Sequence, residues 1–335
     1  MTYKSVNPYT NETFNEYQNA SSKEIKSALQ MAADLAHTWE SESRSKRAEI
    51  LHTVANQLRA QKSSMAEIMT QEMGKLIGES EEEVSLCASI ADYFADHADE
   101  FLEPTEIETT GASANVLKQA LGPILACEPW NFPLYQVMRI FAPNFMVGNP
   151  VILKHASIVP GSARKIAQIV EEVGAPEGSL MNLFLDYDQI GEIIADPRIT
   201  GVALTGSERG GKEVAKAAGE NLKKSTLELG GNDAFIVLED VDKDVLYEVA
   251  PAARLANTGQ TCTASKRFIV LDSLYNDFIK QLTKAFSQVK MGDPMNRDTT
   301  LAPMSSEKAK TKLQKQVDEA VAAGQPLFMV ISRLI

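Results

Sequence analysis

The feature that most constrains the fold is an alternation of short apolar runs with helix-patterned stretches, which begins at Gly122. The apolar runs occupy residues 124–127, 151–153, 181–185 and 201–204, and the helical patterns lie near residues 134–147, 161–174, 187–195 and 209–220. Strands that alternate with helices form a parallel sheet with helices on both faces. The sequence therefore predicts an α/β domain with a parallel sheet, and ligands of such sheets bind at the carboxyl ends of the strands.

A second alternation follows Gly231. Residues 233–238 and 267–271 have strand patterns, and helices are predicted at residues 243–256, 274–289 and 306–323. A chain of 335 residues is long enough to form two hydrophobic cores. We therefore predict two domains, a cofactor-binding domain over residues 1–228 and an α/β domain over residues 229–335.

The segment before Gly122 is mainly helical. Helices are predicted from Ser21 onward and at residues 43–61, 63–74 and 79–99, whereas residues 1–20 form a strand or an ordered arm. Residues 103–120 lose this periodicity, and the Thr109-Thr110-Gly111 triplet predicts the tip of a β-hairpin.

Composition narrows the choice of partners. Hydrophobic residues make up 44% and charged residues 23% of the chain, as in globular proteins. The net charge of -12 argues against a nucleic acid or an anionic membrane as a partner. No apolar run reaches the roughly 18 residues of a membrane span, and the N-terminal residues lack a signal-peptide core. These features predict a cytoplasmic protein that acts on a small molecule.

The cysteines and histidines do not predict a metal site. Cys87, Cys127 and Cys262 have no C-x-x-C spacing, and the four histidines are scattered. An odd number of separated cysteines is typical of reduced thiols.

Three polar side chains lie in settings that suit covalent chemistry on a carbonyl group. Cys262 lies in a small polar turn that contains Gly259, Glu228 ends a predicted strand before two glycines, and Asn131 follows Trp130 in a turn before Phe132. A thiol, a carboxylate and an amide can act as nucleophile, general base and oxyanion donor. Considered separately, each residue also has a purely structural interpretation. Cys262 would be a buried cysteine, Glu228 an exposed carboxylate at a strand end, and Asn131 a turn residue.

A glycine-containing loop, residues 205–211, follows the last apolar run of the first alternation and opens a helix. Glycines allow backbone to approach a phosphate, and a helix N-terminus supplies N–H donors and partial positive charge. The loop is not a G-x-G-x-x-G fingerprint, and by itself it also fits a loop without a ligand.

Five motifs, taken in their order along the chain, resemble those of the aldehyde dehydrogenase superfamily. The resemblance runs from the N-terminus to about residue 323. It rests on the W-N-F-P run from Trp130 to Pro133, Lys154, Thr205-Gly206-Ser207 with Gly211, Leu227 to Gly231, and Gly259 to Cys262. Within the superfamily, Pro129 to Arg139 and the Leu153-Lys154-His155-Ala156 run most resemble the succinate-semialdehyde dehydrogenases.

The resemblance implies an aldehyde dehydrogenase-like fold, with a Rossmann-type NAD(P)-binding domain over residues 1–228 and an incomplete α/β catalytic domain over residues 229–335. The hairpin near residues 103–120 would project from the first domain and help form an oligomer. The resemblance also implies oxidation of an aldehyde by NAD or NADP, with Cys262 as nucleophile, Asn131 as oxyanion donor and Glu228 as base.

The resemblance also implies which residues hold the cofactor. They are Trp130, Lys154, Ser157, Gly206, Ser207, Gly211 and Leu229. Ser157 stands where NAD-preferring relatives often carry a glutamate for the ribose 2′-hydroxyl. A neutral serine beside Lys154 would accept a 2′-phosphate, so NADP is expected to be tolerated and NAD stays open.

Arg139 stands where succinate-semialdehyde dehydrogenases place an arginine for the substrate carboxylate. A guanidinium fork suits a carboxylate, and the alternative is a structural arginine on a helix. A second substrate arginine of such enzymes is replaced here by Ala256, so strict specificity for succinate semialdehyde is not expected.

After Gly324 the resemblance ends, although family chains continue through an E-x-F-G-P motif and a strand that completes a homo-oligomer. We therefore expect a C-terminally truncated chain with impaired turnover. The resemblance leaves the oligomeric state of this chain undecided. Three hypotheses stay open: an NAD(P)-dependent aldehyde dehydrogenase, a nucleotide-binding but inactive module, and a cofactor-independent thiol esterase.

Overall fold

The structure, a computed structural model, describes residues 3–39 and 43–328. It divides into two compact units. The first comprises the described parts of Met1–Ser5, Asn15–Ala66 and Glu81–Leu229, and the second those of Val6–Phe14, Glu67–Ser80 and Gly230–Ile335. The division after Leu229 lies one residue from the boundary we set at residue 228. Our assignment of the whole segment before it to one domain stays a prediction.

The N-terminal part of the chain contains two short strands and four helices. They are β1 (Tyr3–Val6), β2 (Thr13–Tyr17), α1 (Ser22–Trp39), α2 (Arg44–Ala60), α3 (Lys62–Met73) and α4 (Ile77–Leu102). The start of α2 shows how the sequence sets a boundary, because the Ser43 hydroxyl accepts a hydrogen bond from the Lys46 N–H at 3.3 Å. α1 begins at Ser22, next to the predicted start, and buries one face that includes Ile25, Leu29 and Trp39.

The predicted hairpin is present. Strands β3 (Thr105–Ile107) and β4 (Ala114–Val116) pair in antiparallel register around Thr109-Thr110-Gly111. Gly111 has a φ of 102°, a conformation that glycine adopts without strain.

The predicted parallel sheet forms the centre of the first unit. Its elements are β5 (Ile124–Glu128), α5 (Tyr135–Val147), β6 (Val151–His155), α6 (Pro160–Glu172), β7 (Leu180–Asn182), α7 (Tyr187–Ala195), β8 (Gly201–Thr205), α8 (Glu208–Glu220) and β9 (Lys224–Glu228). The strand order is β7-β6-β5-β8-β9, and every neighbouring pair is parallel. Every residue of β5 is buried, as expected for a central strand with helices on both faces.

The run at residues 181–185 differs from its prediction, because strand β7 ends at Asn182. The Leu183 N–H still donates to the Leu153 carbonyl at 2.9 Å. Beyond it, the Tyr3 hydroxyl donates to the Leu185 carbonyl at 2.9 Å and accepts from the Leu185 N–H at 3.2 Å. A tyrosine side chain from the N-terminal strand therefore takes the place of the next ladder contact.

The second unit contains a smaller sheet. Strands β10 (Ala234–Val237) and β11 (Arg267–Val270) are parallel and are connected by α9 (Lys243–Leu255) and a 3-10 turn, Ala256–Gly259. Helices α10 (Asp272–Ser287) and α11 (Glu307–Ala322) follow. One face of the sheet packs around Val237 and Phe278, whereas Ile236 and Ile269 on the other face are 61% and 50% exposed.

Within the described ranges, no helix is long and apolar enough to cross a membrane.

Candidate active site

The turn that carries Cys262 has an unusual backbone. Three consecutive residues before it have positive φ angles: Asn257 at 50°, Thr258 at 56° and Gly259 at 74°. Glycine adopts this region freely, but a β-branched residue such as Thr258 does so only under strain. Strain of this kind costs on the order of 1–3 kcal/mol per residue and persists only where the surroundings enforce it.

Contacts from other parts of the second unit enforce the turn. The Asn257 N–H donates to the Glu79 carboxylate at 2.7 Å, and the Thr258 hydroxyl donates to the Ala302 carbonyl at 3.1 Å. A Cβ added at Gly259 would clash with Nη1 of Arg254 and lie 3.1 Å from the Arg254 carbonyl oxygen, so any other residue there would have to displace the guanidinium group. The turn is therefore held in a strained shape by its neighbours, a feature common at functional sites.

Cys262 itself is exposed and is not part of a disulfide, whereas Cys87 and Cys127 are buried. The Lys266 ammonium group donates hydrogen bonds to the carbonyl oxygens of Thr261, Cys262 and Ala264, at 3.2, 2.6 and 3.1 Å. An accessible thiol on a restrained turn is the setting that a nucleophile requires. Its catalytic role stays a prediction.

Glu228 ends strand β9 in the first unit. It pairs in register with Thr205 of β8, and its carbonyl accepts from the Gly206 N–H at 2.9 Å. Its side chain is 55% exposed, and its Oε1 lies 3.4 Å from Nη2 of Arg139 on α5. The structure thus brings together the candidate base and the candidate substrate arginine.

The turn that carries Trp130 and Asn131 follows strand β5 and is supported by two residues that sequence reasoning missed. The buried Glu83 carboxylate accepts hydrogen bonds from the Leu134 and Tyr135 N–H groups at 2.8 and 2.9 Å. This carboxylate satisfies N–H groups that the start of α5 leaves without an intrahelical acceptor.

His155 supports the same turn from β6. Its Nε2 lies 2.8 Å from the Pro133 carbonyl, and its Nδ1 lies 2.8 Å from the Ala156 nitrogen. Burial lowers the pKa of His155 to about 4, so the ring is neutral at pH 7. It donates from Nε2 to Pro133 and accepts at Nδ1 from Ala156. The only signal in the sequence was its place directly after Lys154.

The candidate cofactor residues of the first unit follow the carboxyl ends of its strands. Lys154 belongs to β6 and Ser157 follows it, and burial lowers the pKa of Lys154. Gly206 follows β8, and the Ser207 hydroxyl caps α8 by accepting from the Gly210 N–H at 3.2 Å. All lie on the sheet edge where doubly wound folds bind ligands.

Gly211 and Leu229 are direct neighbours at that edge. A Cβ added at Gly211 would lie 2.6 Å from Cδ2 of Leu229. The glycine therefore allows the first turn of α8 to approach the residue that follows β9. Packing against Leu229 therefore accounts for a glycine at position 211 even without a bound ligand.

The structure adds a buried carboxyl group that the sequence analysis missed. Glu128 ends β5 and is only 3% exposed. Burial raises its pKa to about 8, although the Thr205 hydroxyl and the Arg139 charge partly oppose the rise. Neither carboxyl oxygen makes a hydrogen bond of normal geometry within the described residues. At pH 7 this group holds a proton.

The first comparison with known proteins concerns families. The model of the aldehyde dehydrogenase family matches residues 1–329. This match spans both units of the structure.

Comparisons with individual proteins agree with it. The chain is 44% identical over 322 residues to a succinate-semialdehyde dehydrogenase (NADP+) of Deinococcus radiodurans, covering 96% of this chain and 68% of that protein. It is 40% identical over 327 residues to the succinate semialdehyde dehydrogenase (NAD(P)+) Sad of Escherichia coli K12, covering 97% of this chain and 70% of the relative. The crystal structure of a succinic semialdehyde dehydrogenase from Streptococcus pyogenes with NADP+ superposes with a TM-score of 0.96 at 53% identity, covering 98% of this chain and 72% of that one.

Proposed function

The chain belongs to the aldehyde dehydrogenase family, and from that premise we propose that it oxidises a small aldehyde to a carboxylic acid with NADP+ or NAD+. Succinate semialdehyde is the first candidate substrate, because the relatives reported above are named for it. The observation that carries the proposal is the exposed thiol of Cys262 on a restrained turn, in a chain that matches the family along both units.

In this proposal the Cys262 thiolate attacks the aldehyde carbon and forms a tetrahedral adduct. The Asn131 amide and the backbone N–H of Cys262 donate hydrogen bonds to the oxyanion. Loss of one such donor typically costs about 2.7–4 kcal/mol of transition-state stabilisation. The nicotinamide, when bound, accepts the hydride from the adduct carbon. Glu228 then takes a proton from the water that hydrolyses the thioester, which releases the acid and the thiol.

The residues at the carboxyl edge of the sheet fit a dinucleotide. Lys154 and Ser157 would hold the adenosine ribose, and the absence of a carboxylate at Ser157 leaves room for a 2′-phosphate. Gly206, Ser207 and Gly211 open helix α8, whose N-terminus offers N–H donors to a phosphate. Trp130 and Leu229 are assigned to the same cofactor site because they match the family motifs.

Arg139 is a candidate ligand for a substrate carboxylate. This role requires the guanidinium group to leave or share its contact with Glu228. An uncharged aldehyde would make no such demand, so comparing charged and uncharged substrates tests the role directly.

The decisive experiment measures NAD(P)H formation by the purified chain with succinate semialdehyde. We expect turnover by the wild type, none by Cys262→Ala, and turnover by Cys87→Ala once its melting temperature confirms that it is folded. A chain in which Cys262→Ala is as active as the wild type would refute the mechanism.

Two alternatives have their own outcomes in the same assay. Because the exposed thiol could act without a cofactor, hydrolysis of p-nitrophenyl acetate that needs Cys262 but yields no NADPH with any aldehyde would favour a thiol esterase. Nucleotide binding without either reaction would favour a binding module. The chain covers 68–72% of the length of the relatives reported above, so the rate relative to a full-length relative is part of the result.

A further inference from the structure

The backbone conformation of Asn257, at the start of the strained turn, is held by hydrogen bonds to both of its peptide groups. Its N–H donates to the Glu79 carboxylate at 2.7 Å. Its carbonyl oxygen accepts from the Gln260 N–H at 3.0 Å and from the Gln260 side-chain amide at 3.2 Å. Because φ and ψ set the relative orientation of the two peptide planes that flank a residue, fixing both planes fixes both angles. Asn257 is 2% exposed, so these contacts are shielded from water.

The acceptor for the Asn257 N–H comes from a separate and anchored element. Glu79 lies in the first turn of α4, 178 residues earlier in the chain. Near the start of the same helix, the Ile77 N–H donates to the Pro294 carbonyl at 3.0 Å. The partial positive charge of a helix N-terminus also favours a carboxylate there. Glu79 therefore presents an oxygen from outside the turn, whereas the Gln260 contacts move with the turn.

The turn needs an acceptor of this kind because its backbone is strained. Asn257, Thr258 and Gly259 all have positive φ angles, and Thr258 is β-branched. A buried N–H that loses its acceptor is unfavourable by itself, and this cost would add to the strain. Without the Glu79 oxygen, we expect the turn to shift towards right-handed conformations. That shift would redirect the chain that leads to Cys262, three residues after Gly259.

We propose that Glu79 is a positioning residue for the candidate nucleophile, because it holds the left-handed turn that presents the Cys262 thiol. The inference rests on the proposed function, in which this thiol attacks the aldehyde. Glu79 touches neither the aldehyde nor the cofactor, and it acts through the Asn257 N–H. An acceptor oxygen at this place is what the turn requires, so glutamine, whose side-chain carbonyl oxygen accepts the same hydrogen bond, should replace Glu79.

Steady-state kinetics of four variants tests this role in catalysis. Glu79→Met has no oxygen, Glu79→Asp keeps the charge on a side chain one methylene shorter, and Glu79→Gln keeps the acceptor at full length. We expect the first two to lower kcat for succinate semialdehyde about tenfold with KM changed less than about twofold, because the nucleophile is misplaced while substrate binding is kept. Glu79→Gln should recover most of the loss. Glu82→Met, at an exposed position on the same helix, is the matched control and should keep wild-type kinetics.

Alkylation of Cys262 gives a second readout that needs no turnover. The rate constant for iodoacetamide is measured by mass spectrometry of the peptide that contains Cys262, after circular dichroism has confirmed that each variant is folded. We expect Glu79→Met and Glu79→Asp to react at least about threefold more slowly than the wild type, because the relaxed turn no longer presents the thiol. Glu79→Gln and Glu82→Met should react nearly as fast as the wild type. If Glu79→Met does not fold, Glu79→Asp decides the test.

Three results would overturn the proposal: wild-type kcat and alkylation rates in the Met and Asp variants, a loss of kcat that glutamine does not reduce, and a rise in KM with unchanged kcat. A wild type that forms no NAD(P)H with succinate semialdehyde or with butanal would refute the proposed function instead. The alkylation rates would then decide the role of Glu79 alone, and equal rates in the wild type and Glu79→Asp would exclude it.

Discussion

Burial of Glu128 predicts that the stability of the first unit falls as the pH rises through neutrality. A glutamate in an unfolded chain has a pKa near 4.5, whereas that of Glu128 in the folded protein is raised to about 8. Between these values the folded state keeps a proton that the unfolded state has lost, so raising the pH favours unfolding. Above the folded pKa both states are ionised, and this dependence ends.

The magnitude follows from the shift. One pKa unit corresponds to about 1.4 kcal/mol, so the whole window is worth at most about 5 kcal/mol, and less if water enters the site. His155 has the opposite effect between about pH 4 and pH 6.5, because burial lowers its pKa from 6.5 to about 4. In that range the unfolded state binds a proton that the folded state does not, so the stability rises with pH. The clean window for Glu128 therefore runs from about pH 6.5 to about pH 8, where the wild type should lose about 2 kcal/mol.

Glu128→Gln is the matched perturbation, because it keeps the shape of the side chain and removes the titrating proton. We would measure urea unfolding of both proteins by tryptophan fluorescence at half-unit steps from pH 6.5 to 8.5. The variant should be less sensitive to pH than the wild type, so that the difference in unfolding free energy shifts in its favour as the pH rises. Parallel curves for the two proteins would refute the argument that Glu128 is protonated in the folded state.

Other predictions concern the turn of the second unit, the cofactor edge and the exposed sheet face. Gly259→Ala should destabilise the chain by about 1–3 kcal/mol and slow alkylation of the thiol, because φ is 74° there and a guanidinium nitrogen lies 2.3 Å from the new methyl group; unchanged unfolding and alkylation would contradict it. Gly211→Ala should weaken NADP+ binding, measured by calorimetry, because the added carbon would lie 2.6 Å from Cδ2 of Leu229 and displace that side chain. A variant with wild-type affinity would show that NADP+ binding does not need the close packing of α8 against Leu229. Ile236→Thr combined with Ile269→Thr should reduce binding of the dye ANS, because the two exposed side chains face each other in register; equal dye binding would place the exposed apolar surface elsewhere.

The periodicity of the sequence predicted most of the first unit. Buried runs such as residues 124–127 produced strands, and the helix predicted at residues 187–195 has those bounds in the structure. The edge strand β9 was recognised only at its end, because its residues Lys224, Ser225 and Thr226 are polar and exposed. An edge strand needs no apolar face on its solvent side, so its pattern is weak.

The candidate site was predictable where residue type alone carries the chemistry. The thiol of Cys262 and the carboxylate of Glu228 could be chosen from their motifs, and the structure describes both as exposed. Glu83, Glu128 and His155 could not, because their roles depend on burial and on contacts with distant residues. The Glu83 contact with Leu134 spans 51 residues of sequence.

The protonation states of the buried groups have a consequence for the charge at the sheet edge. The chain as a whole carries a net charge of -12, which would repel a dinucleotide phosphate at long range. Two buried groups near the edge, Glu128 and His155, are neutral at pH 7 because burial disfavours their charged forms. The positive charge of Lys154 is therefore not cancelled from the interior, whereas the charge of Arg139 is already paired with Glu228. In a partly shielded setting the charge of Lys154 acts more strongly than the distant surface charges, which salt screens. Ionisation of Glu128 would add a negative charge within reach of Arg139, so affinity for NADP+ should fall as the pH rises through 8 in the wild type and change less in Glu128→Gln.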